Sequence, residues 1–198
     1  MRTIRLAKAA DGQGVAEIYA PVVKDTAISF EVDPPGADEM GARIAATTSA
    51  IPWLVCVEGD RVDGYVYASR FNERAAYGWS VNVTCYVREG RRRAGIGRGL
   101  YTALLPILHA QGIYAAHAGI TLPNDASVGL HESFGMRRVA LYSRVGFKLG
   151  AWHDVGWWQV ELRERTGTPD PILPMVGLMR LPAWREAIAA GERVMMKG

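Results

Sequence analysis

The apolar and polar positions divide the chain into a succession of short elements. "TIRLA", near the start, alternates polar and apolar residues as a half-buried strand does. Asp11 then stands where a helix N-cap belongs, ahead of Val15, Ile18, Tyr19, Val22 and Val23 on one helical face. Pro34 and Pro35 in "SFEVDPPG" close that segment, and a second helix is expected from about Ala37 to Ser49. "PWLVCVEGDRVDGYVYASR" reads as two strands turning at Glu58-Gly59-Asp60. "GWSVNVTCYV" is a further strand, and a helix from about Gly95 to Ala110 follows it. Strand "IYAAHAGIT" and loop "LPND" lead to a helix from about Asp125 to Phe134. Two closing strands are expected at roughly Arg138 to Phe147 and Trp152 to Leu162. This is a mixed α/β order with several antiparallel hairpins.

Past Arg163 the pattern changes. Pro169, Pro171, Pro174 and Pro182 discourage a strand or long helix until "AWREAIAAGERV", which reads as one short helix. Residues 1–163 are therefore expected to form the domain and residues 164–198 a proline-containing extension. With 198 residues, 49% of them hydrophobic, the chain can bury one substantial core.

Charge narrows the choice of ligand. The balance of 23 Lys+Arg against 20 Asp+Glu leaves only +3, and the basic residues gather between Arg88 and Arg98. That points to a local anionic ligand; a nucleic-acid partner would call for a broader basic face, and none is expected. Cys56 and Cys85 lie in apolar strand-like runs without metal-ligand spacing, so they read as two buried thiols in a reducing compartment, with no metal. The N-terminal "MRTIRLAKAADG" lacks the apolar core of a signal peptide, and no apolar run approaches the ~18 residues of a membrane span. A cytoplasmic protein without a membrane partner is expected.

The stretch "CYVREGRRRAGIGRGLYTALL" places Gly95, Gly97 and Gly99 where a strand hands over to a helix. The first turn of a helix leaves backbone N–H groups unsatisfied, and the dipole adds positive charge there. Glycines admit a ligand to the backbone, and arginines add charged donors. Together these features describe a cradle for a pyrophosphate. The spacing does not fit the G-x-G-x-x-G dinucleotide fingerprint, and no G-K-[ST] follows as in a P-loop. Arg92, Gly95 and Gly97 do match the R/Q-x-x-G-x-G/A pattern. That pattern resembles the signature of the GNAT acetyltransferases, whose cradle grips acetyl-CoA.

Further stretches narrow the resemblance. "ITLPNDASVGLHESFGM", "VGFKLGAWHDVGWWQVEL", "PWLV" and "YVYASRFNERAAYGW" look like the phosphinothricin and methionine sulfoximine N-acetyltransferase branch, over about Thr3 to Leu162. The resemblance implies a mostly antiparallel central sheet flanked by helices, with two strands splayed around acetyl-CoA. It assigns the main chain of Cys85, Tyr86 and Val87 to the pantetheine arm. Arg92, Arg93, Ala94, Gly95, Ile96, Gly97 and Arg98 fall to the pyrophosphate, and Asn124 to the cofactor as well as to capping the next helix. Phe30 would form an apolar wall of the acceptor site, with Arg74 and Tyr77 holding the acceptor's anionic end. A homodimer through the later strands is also implied.

The chemistry needs a base for the ammonium, an oxyanion donor and a proton for the leaving thiolate. His131 in "GLHESFG" occupies the position that supplies the proton in this branch. Asn82 is the departure, because relatives usually carry Glu there as the general base, and an amide cannot accept a proton. Three consequences stay open: another base such as His131 or a solvent chain, a different acceptor, or a non-catalytic acetyl-CoA-binding sensor. His117 reads as a satisfied core residue, His153 as structural and His109 as a helix-surface residue.

Overall fold

The computed structural model describes residues 2–196 of the chain. Seven strands form one sheet: β1 (Arg2–Leu6), β2 (Trp53–Glu58), β3 (Arg61–Arg70), β4 (Ser80–Val87), β5 (Ala115–Leu122), β6 (Arg137–Lys148) and β7 (Ala151–Glu161). The helices are α1 (Gly12–Asp25), α2 (Ala37–Thr48), α3 (Ile96–Gln111), α4 (Asp125–Glu132), a short turn α5 (Met175–Leu178) and α6 (Pro182–Met196). Strand order is β1-β2-β3-β4-β5-β7-β6, antiparallel throughout except between β4 and β5. Strand alternation sends Val55, Tyr65 and Tyr86 to the α1/α2 face. Val66, Val81, Val83 and Ala116 go to the face carrying α3, α4 and α6.

The β4–β5 pair is the feature that makes a site. Its parallel register runs only through Ser80↔Ala115, Val81↔Ala116 and Asn82↔His117. From Val83 onward β4 keeps β3 on one edge, through Val66↔Cys85, Tyr65↔Tyr86 and Gly64↔Val87, while its other edge faces an opening. Behind this opening, α3 buries Leu100, Tyr101, Leu104 and Leu108 completely.

Two local expectations need correction. Asp11 is at the N-cap of α1 but makes no side-chain cap bond there. Its carboxylate instead accepts from the Lys8 amide at 2.8 Å and forms a paired contact with Arg5 at 2.7 Å. The guanidinium wins because it takes both carboxylate oxygens at once, in a bidentate pair of opposite charges. The tail helix is also longer than the sequence pattern promised, at 15 residues, because Pro182 sits at its first position, where no N–H is needed.

The segment after β7 is strapped across the bottom of the sheet. Trp79 Nε1 donates to the Asp170 carbonyl at 2.8 Å, and the Leu173 amide donates to the Gln111 carbonyl at 2.8 Å. This strap delivers α6 to the flank of α3, where Trp184, Ala187 and Met195 join the core. Glu192 accepts from the Ile4 amide at 2.9 Å, satisfying one donor on the open edge of β1. Burying each large side chain contributes about 2 kcal/mol. The two helices meet backbone to backbone: a Cβ on Gly99 would lie 2.7 Å from the Gly191 carbonyl oxygen. The Gly191→Val variant should therefore lose about 2 kcal/mol and lower Tm by roughly 6 °C in a thermal melt. An unchanged Tm would contradict this contact.

Candidate active site

The opening between β4 and β5 is lined by Val83, Thr84, Cys85 and Tyr86 on one side and by Ala118, Gly119, Ile120 and Thr121 on the other. Ile28 from the α1–α2 loop and Asn124, Ser127 and His131 of the α4 segment close it. Its floor on the β4 side is strand backbone with no strand beside it. An extended polar ligand can complete that edge.

At the mouth, Gly95 adopts φ +72°, a left-handed conformation that glycine alone takes without strain, and starts α3. Gly99 N donates to the Gly95 carbonyl at 2.8 Å, the first bond of the helix. Among the described residues, the amides of Arg92, Arg93, Ala94, Gly95, Ile96, Gly97 and Arg98 donate to no protein acceptor. Gly97 faces the opening, where a Cβ would come within 3.3 Å of Leu130 on α4 and 3.7 Å of Val87. Bare backbone is thus presented between β4 and α4.

The arginines divide into two sets. Arg88 donates to the Val62 carbonyl at 2.8 Å and pairs with Glu17 at 3.0 Å. Arg91 lies 3.5 Å from Glu58 and 3.8 Å from the fully buried Asp63 carboxylate. Asp63 also accepts from Arg61 at 2.6 Å, and its carbonyl takes the Arg88 amide at 2.9 Å. These contacts anchor the base of the loop. Arg92, Arg93 and Arg98 are exposed and have no acidic partner among the described residues, so their charge is available to an anion.

His131 is buried in the α4 wall. Nδ1 lies 2.7 Å from the Ser127 carbonyl and Nε2 2.8 Å from the Tyr101 hydroxyl. A carbonyl only accepts, so Nδ1 carries the proton and Tyr101 donates to Nε2. Burial lowers the His131 pKa, the Ser127 carbonyl opposing it, so the ring is neutral at pH 7. Asn124 accepts from the Ser127 amide at 3.2 Å and caps α4, leaving its amide nitrogen free of protein partners among the described residues.

Asn82 sits at the apex, the last β4 residue still paired with β5. Its Nδ2 donates to the Arg70 carbonyl at 3.1 Å, while Oδ1 is buried without a partner. Beside it stands His117, half-buried, with Phe71 tilted against it at 4.5 Å between ring centroids. Phe71 lies 5.6 Å from Tyr77 and 6.4 Å from Trp157. Arg74 is exposed in the same β3–β4 loop, its amide donating to Asn72 Oδ1 at 3.0 Å. Phe30 packs over Gly146 at the hairpin of β6 and β7, 6.3 Å from the His153 ring, and so lies at the rim. Lys148 holds this rim together by donating to the Val23 and Ser29 carbonyls.

The structure brings the cradle, the β4 edge, Asn124 and His131 to one opening, with Asn82 at its apex. Tyr77 reaches Phe71 beside His117, Phe30 comes from the α1–α2 loop, and Arg74 stands exposed, with no side-chain partner that ties it to the apex among the described residues. The Tyr86 side chain does not face the opening; it packs against Tyr19 at 5.2 Å and Tyr65 at 5.6 Å. Burial pushes both cysteine thiols up to about 12, so neither provides a thiolate. His153 spans its hairpin by bonding the Lys148 carbonyl at 3.0 Å. No cluster of metal-ligating side chains occurs among the described residues, and no described helix is long and apolar enough to cross a membrane.

Sequence reasoning missed His117 as a neighbour of Asn82. Period-two alternation puts it on the α1/α2 face, but only the parallel register of β4 and β5 brings the two residues side by side.

Comparison with known proteins places these features. The family model described as an acetyltransferase (GNAT) domain matches residues 4–157. Phosphinothricin N-acetyltransferase of Streptomyces viridochromogenes is 37% identical over 87% of this chain and 93% of its own. The L-methionine sulfoximine/L-methionine sulfone acetyltransferase of Salmonella typhimurium is 31% identical over 85% of this chain and 98% of its own. A phosphinothricin acetyltransferase from Sinorhizobium meliloti, solved in complex with acetyl-CoA, is 33% identical. It superposes with a TM-score of 0.81 over 85% of this chain and 93% of that one.

The buried His131 has a consequence for stability. Its pKa is lowered from 6.5, so the unfolded chain binds the proton more readily than the folded one. Stability is complete above pH 6.5 and falls as pH drops toward the lowered folded value. Wild-type Tm should decline between pH 7 and 5, and the His131→Gln variant should show a shallower decline. Parallel curves would contradict a neutral, buried imidazole.

Proposed function

The chain belongs to the GNAT acetyltransferase family, and from that premise we propose that it transfers the acetyl group of acetyl-CoA to the amine of a small amino-acid-like acceptor. Phosphinothricin and methionine sulfoximine, the acceptors named for its relatives, are the type. The observation that carries this reading is the unpaired β4 edge leading to seven free amides at the start of α3.

Acetyl-CoA supplies the thioester carbonyl and the thiolate leaving group. The amides from Arg92 to Arg98 take the diphosphate, with the exposed arginines adding charge. The β4 edge at Cys85, Tyr86 and Val87 pairs with the pantetheine arm and aims the thioester at the apex. Asn124 Nδ2 donates to the cofactor while Oδ1 caps α4. His131 is assigned to the leaving thiolate on the pantetheine side, a role that requires it to exchange one of its two present bonds, Nδ1–H to the Ser127 carbonyl or Nε2 from Tyr101, for the sulfur. Asn82 Oδ1, buried and unpaired, accepts from the incoming amine or from a water beside it. On the acceptor side, Arg74 takes the carboxylate, with Tyr77 and Phe30 as flanking walls.

Residues 1–163 are read as the catalytic domain, and 164–198 as an extension that braces α3. The protein is read as cytoplasmic, needing no metal, membrane or nucleic acid. The amide at Asn82 favours one competing reading, an acetyl-CoA-binding sensor without turnover. Thiol release on mixing acetyl-CoA with L-phosphinothricin, L-methionine sulfoximine and a panel of amino acids separates the two. Turnover is expected with at least one amino acid, and Arg74→Ala should raise the acceptor KM by about tenfold with a smaller change in kcat. Tight cofactor binding with no turnover on any amine would favour the sensor.

A homodimer through β6 is also proposed. This strand has an open edge and exposes Val139, Val145 and Phe147, with Trp152 exposed on β7 beside it. Trp158 is not part of that surface, being buried against α4, where it donates to Glu132 at 3.1 Å. Light scattering should give twice the chain mass, and a Val145→Glu/Phe147→Glu variant should give the single mass. A monomeric wild type would contradict the dimer.

A further inference from the structure

The catalytic apex lacks a carboxylate, yet it holds an imidazole that no part of the assignment above uses. His117 is the parallel partner of Asn82, and alternation points both side chains to the α1/α2 face, where the acceptor side of the opening lies. Its Nδ1 lies 3.3 Å from the Val81 carbonyl, which fixes that nitrogen as the protonated one. Nε2 then carries the lone pair, and the side chain of Gln159, its cross-strand neighbour on β7, lies against the ring.

Two further unpaired atoms occur among the described residues on this face of the sheet. Asn82 Oδ1 is a buried acceptor without a donor, and Trp157 Nε1 is a buried donor without an acceptor. The Trp157 ring lies over Gly119, two residues along β5 from His117, where a Cβ would meet it at 3.3 Å. Buried polar groups are rarely left unpaired, and two of opposite kind on the face that carries His117 call for a polar ligand there. An ammonium, or a water bound to one, donates to both Oδ1 and Nε2, while a carbonyl or carboxylate oxygen accepts from the indole.

We propose that His117 is the general base of the reaction, taking over the work of the carboxylate absent from position 82, with Asn82 orienting the amine or the bridging water. The inference rests on the acetyltransferase reading above. His117 Nε2 takes one proton from the acceptor ammonium. The freed nitrogen lone pair forms the N–C bond at the thioester carbonyl, and the C–S bond breaks. The nitrogen's second departing proton goes to solvent, the thiolate takes one from solvent on the His131 side, and His117 returns its own to solvent. One proton is released net per turnover.

The surroundings of His117 suit a base that is free at neutral pH. Burial lowers its pKa from 6.5, the Val81 carbonyl and Gln159 side chain oppose that shift, and the Arg165 charge adds to it. Gln159 is its cross-strand neighbour on β7, Phe71 covers it from the β3–β4 loop, and Arg165 is engaged with Glu161. Among the described residues no carboxylate touches the ring to hold it protonated.

The test is the pH profile of kcat/KM for wild type and His117→Gln with whichever amino acid of the panel turns over fastest, with coenzyme A affinity measured calorimetrically for both. His117→Gln should bind coenzyme A within about threefold of wild type, lose about 100-fold in kcat and lose the acid limb that wild type shows below pH 6.5. The His117→Gln/Asn82→Glu double variant should recover at least tenfold in kcat, with an acid limb at lower pH. Wild-type turnover with an undiminished His117→Gln variant, or an acid limb that persists in it, would overturn the assignment and leave the acetyltransferase reading intact. A wild type inactive on every amine would overturn both.

Discussion

Everything in this molecule follows from the early end of one parallel strand pair. After Asn82 and His117, β4 and β5 separate, and a length of β4 keeps hydrogen-bonding capacity on one side only. Exposed strand edges are ordinarily a hazard, so a protein that keeps one inside its fold must offer it a partner. Here the partner has to be extended, polar along its length and anionic at one end, because the opening runs into free amides and unpaired arginines at the start of α3. Coenzyme A has that form, and a close relative is known with acetyl-CoA bound.

The rest of the chain keeps the two strands apart and the cradle in place. Buried Asp63 fixes Arg91 and takes the Arg88 amide, so the loop between β4 and α3 is tied at its base while its tip stays bare. The Tyr101–His131 bond joins α3 to α4 across the pantetheine side. The tail helix α6 packs on the far flank of α3, where a Cβ on Gly95 would lie 3.5 Å from Met195 and Val194. The cradle is therefore braced from both sides.

Much of this was legible in the sequence. The alternation of "TIRLA" and "GWSVNVTCYV" and the apolar spacing after Asp11 gave the elements and their order, because local burial patterns decide those. The Gly-Arg stretch announced an anion cradle because glycine spacing and helix starts are local chemistry. The Asp11 cap failed because Arg5, on a neighbouring strand, competed for the same carboxylate. Pairing of Asn82 with His117 could not be read, since the residues are joined by a helix and a parallel crossover whose register no local pattern specifies. The division of the arginines into anchors and free cations was hidden for the same reason: Asp63 and Glu17 are distant in sequence from the residues they hold.

The central claim is that backbone amides at the start of α3 grip a diphosphate. Calorimetry with coenzyme A, 3′-dephospho-coenzyme A and pantetheine tests it most directly. The first two keep the diphosphate and should bind within about tenfold of each other, while pantetheine should bind at least about 100-fold more weakly, as expected from losing several charge-assisted bonds. Pantetheine binding as tightly as coenzyme A, or coenzyme A failing to bind, would contradict it.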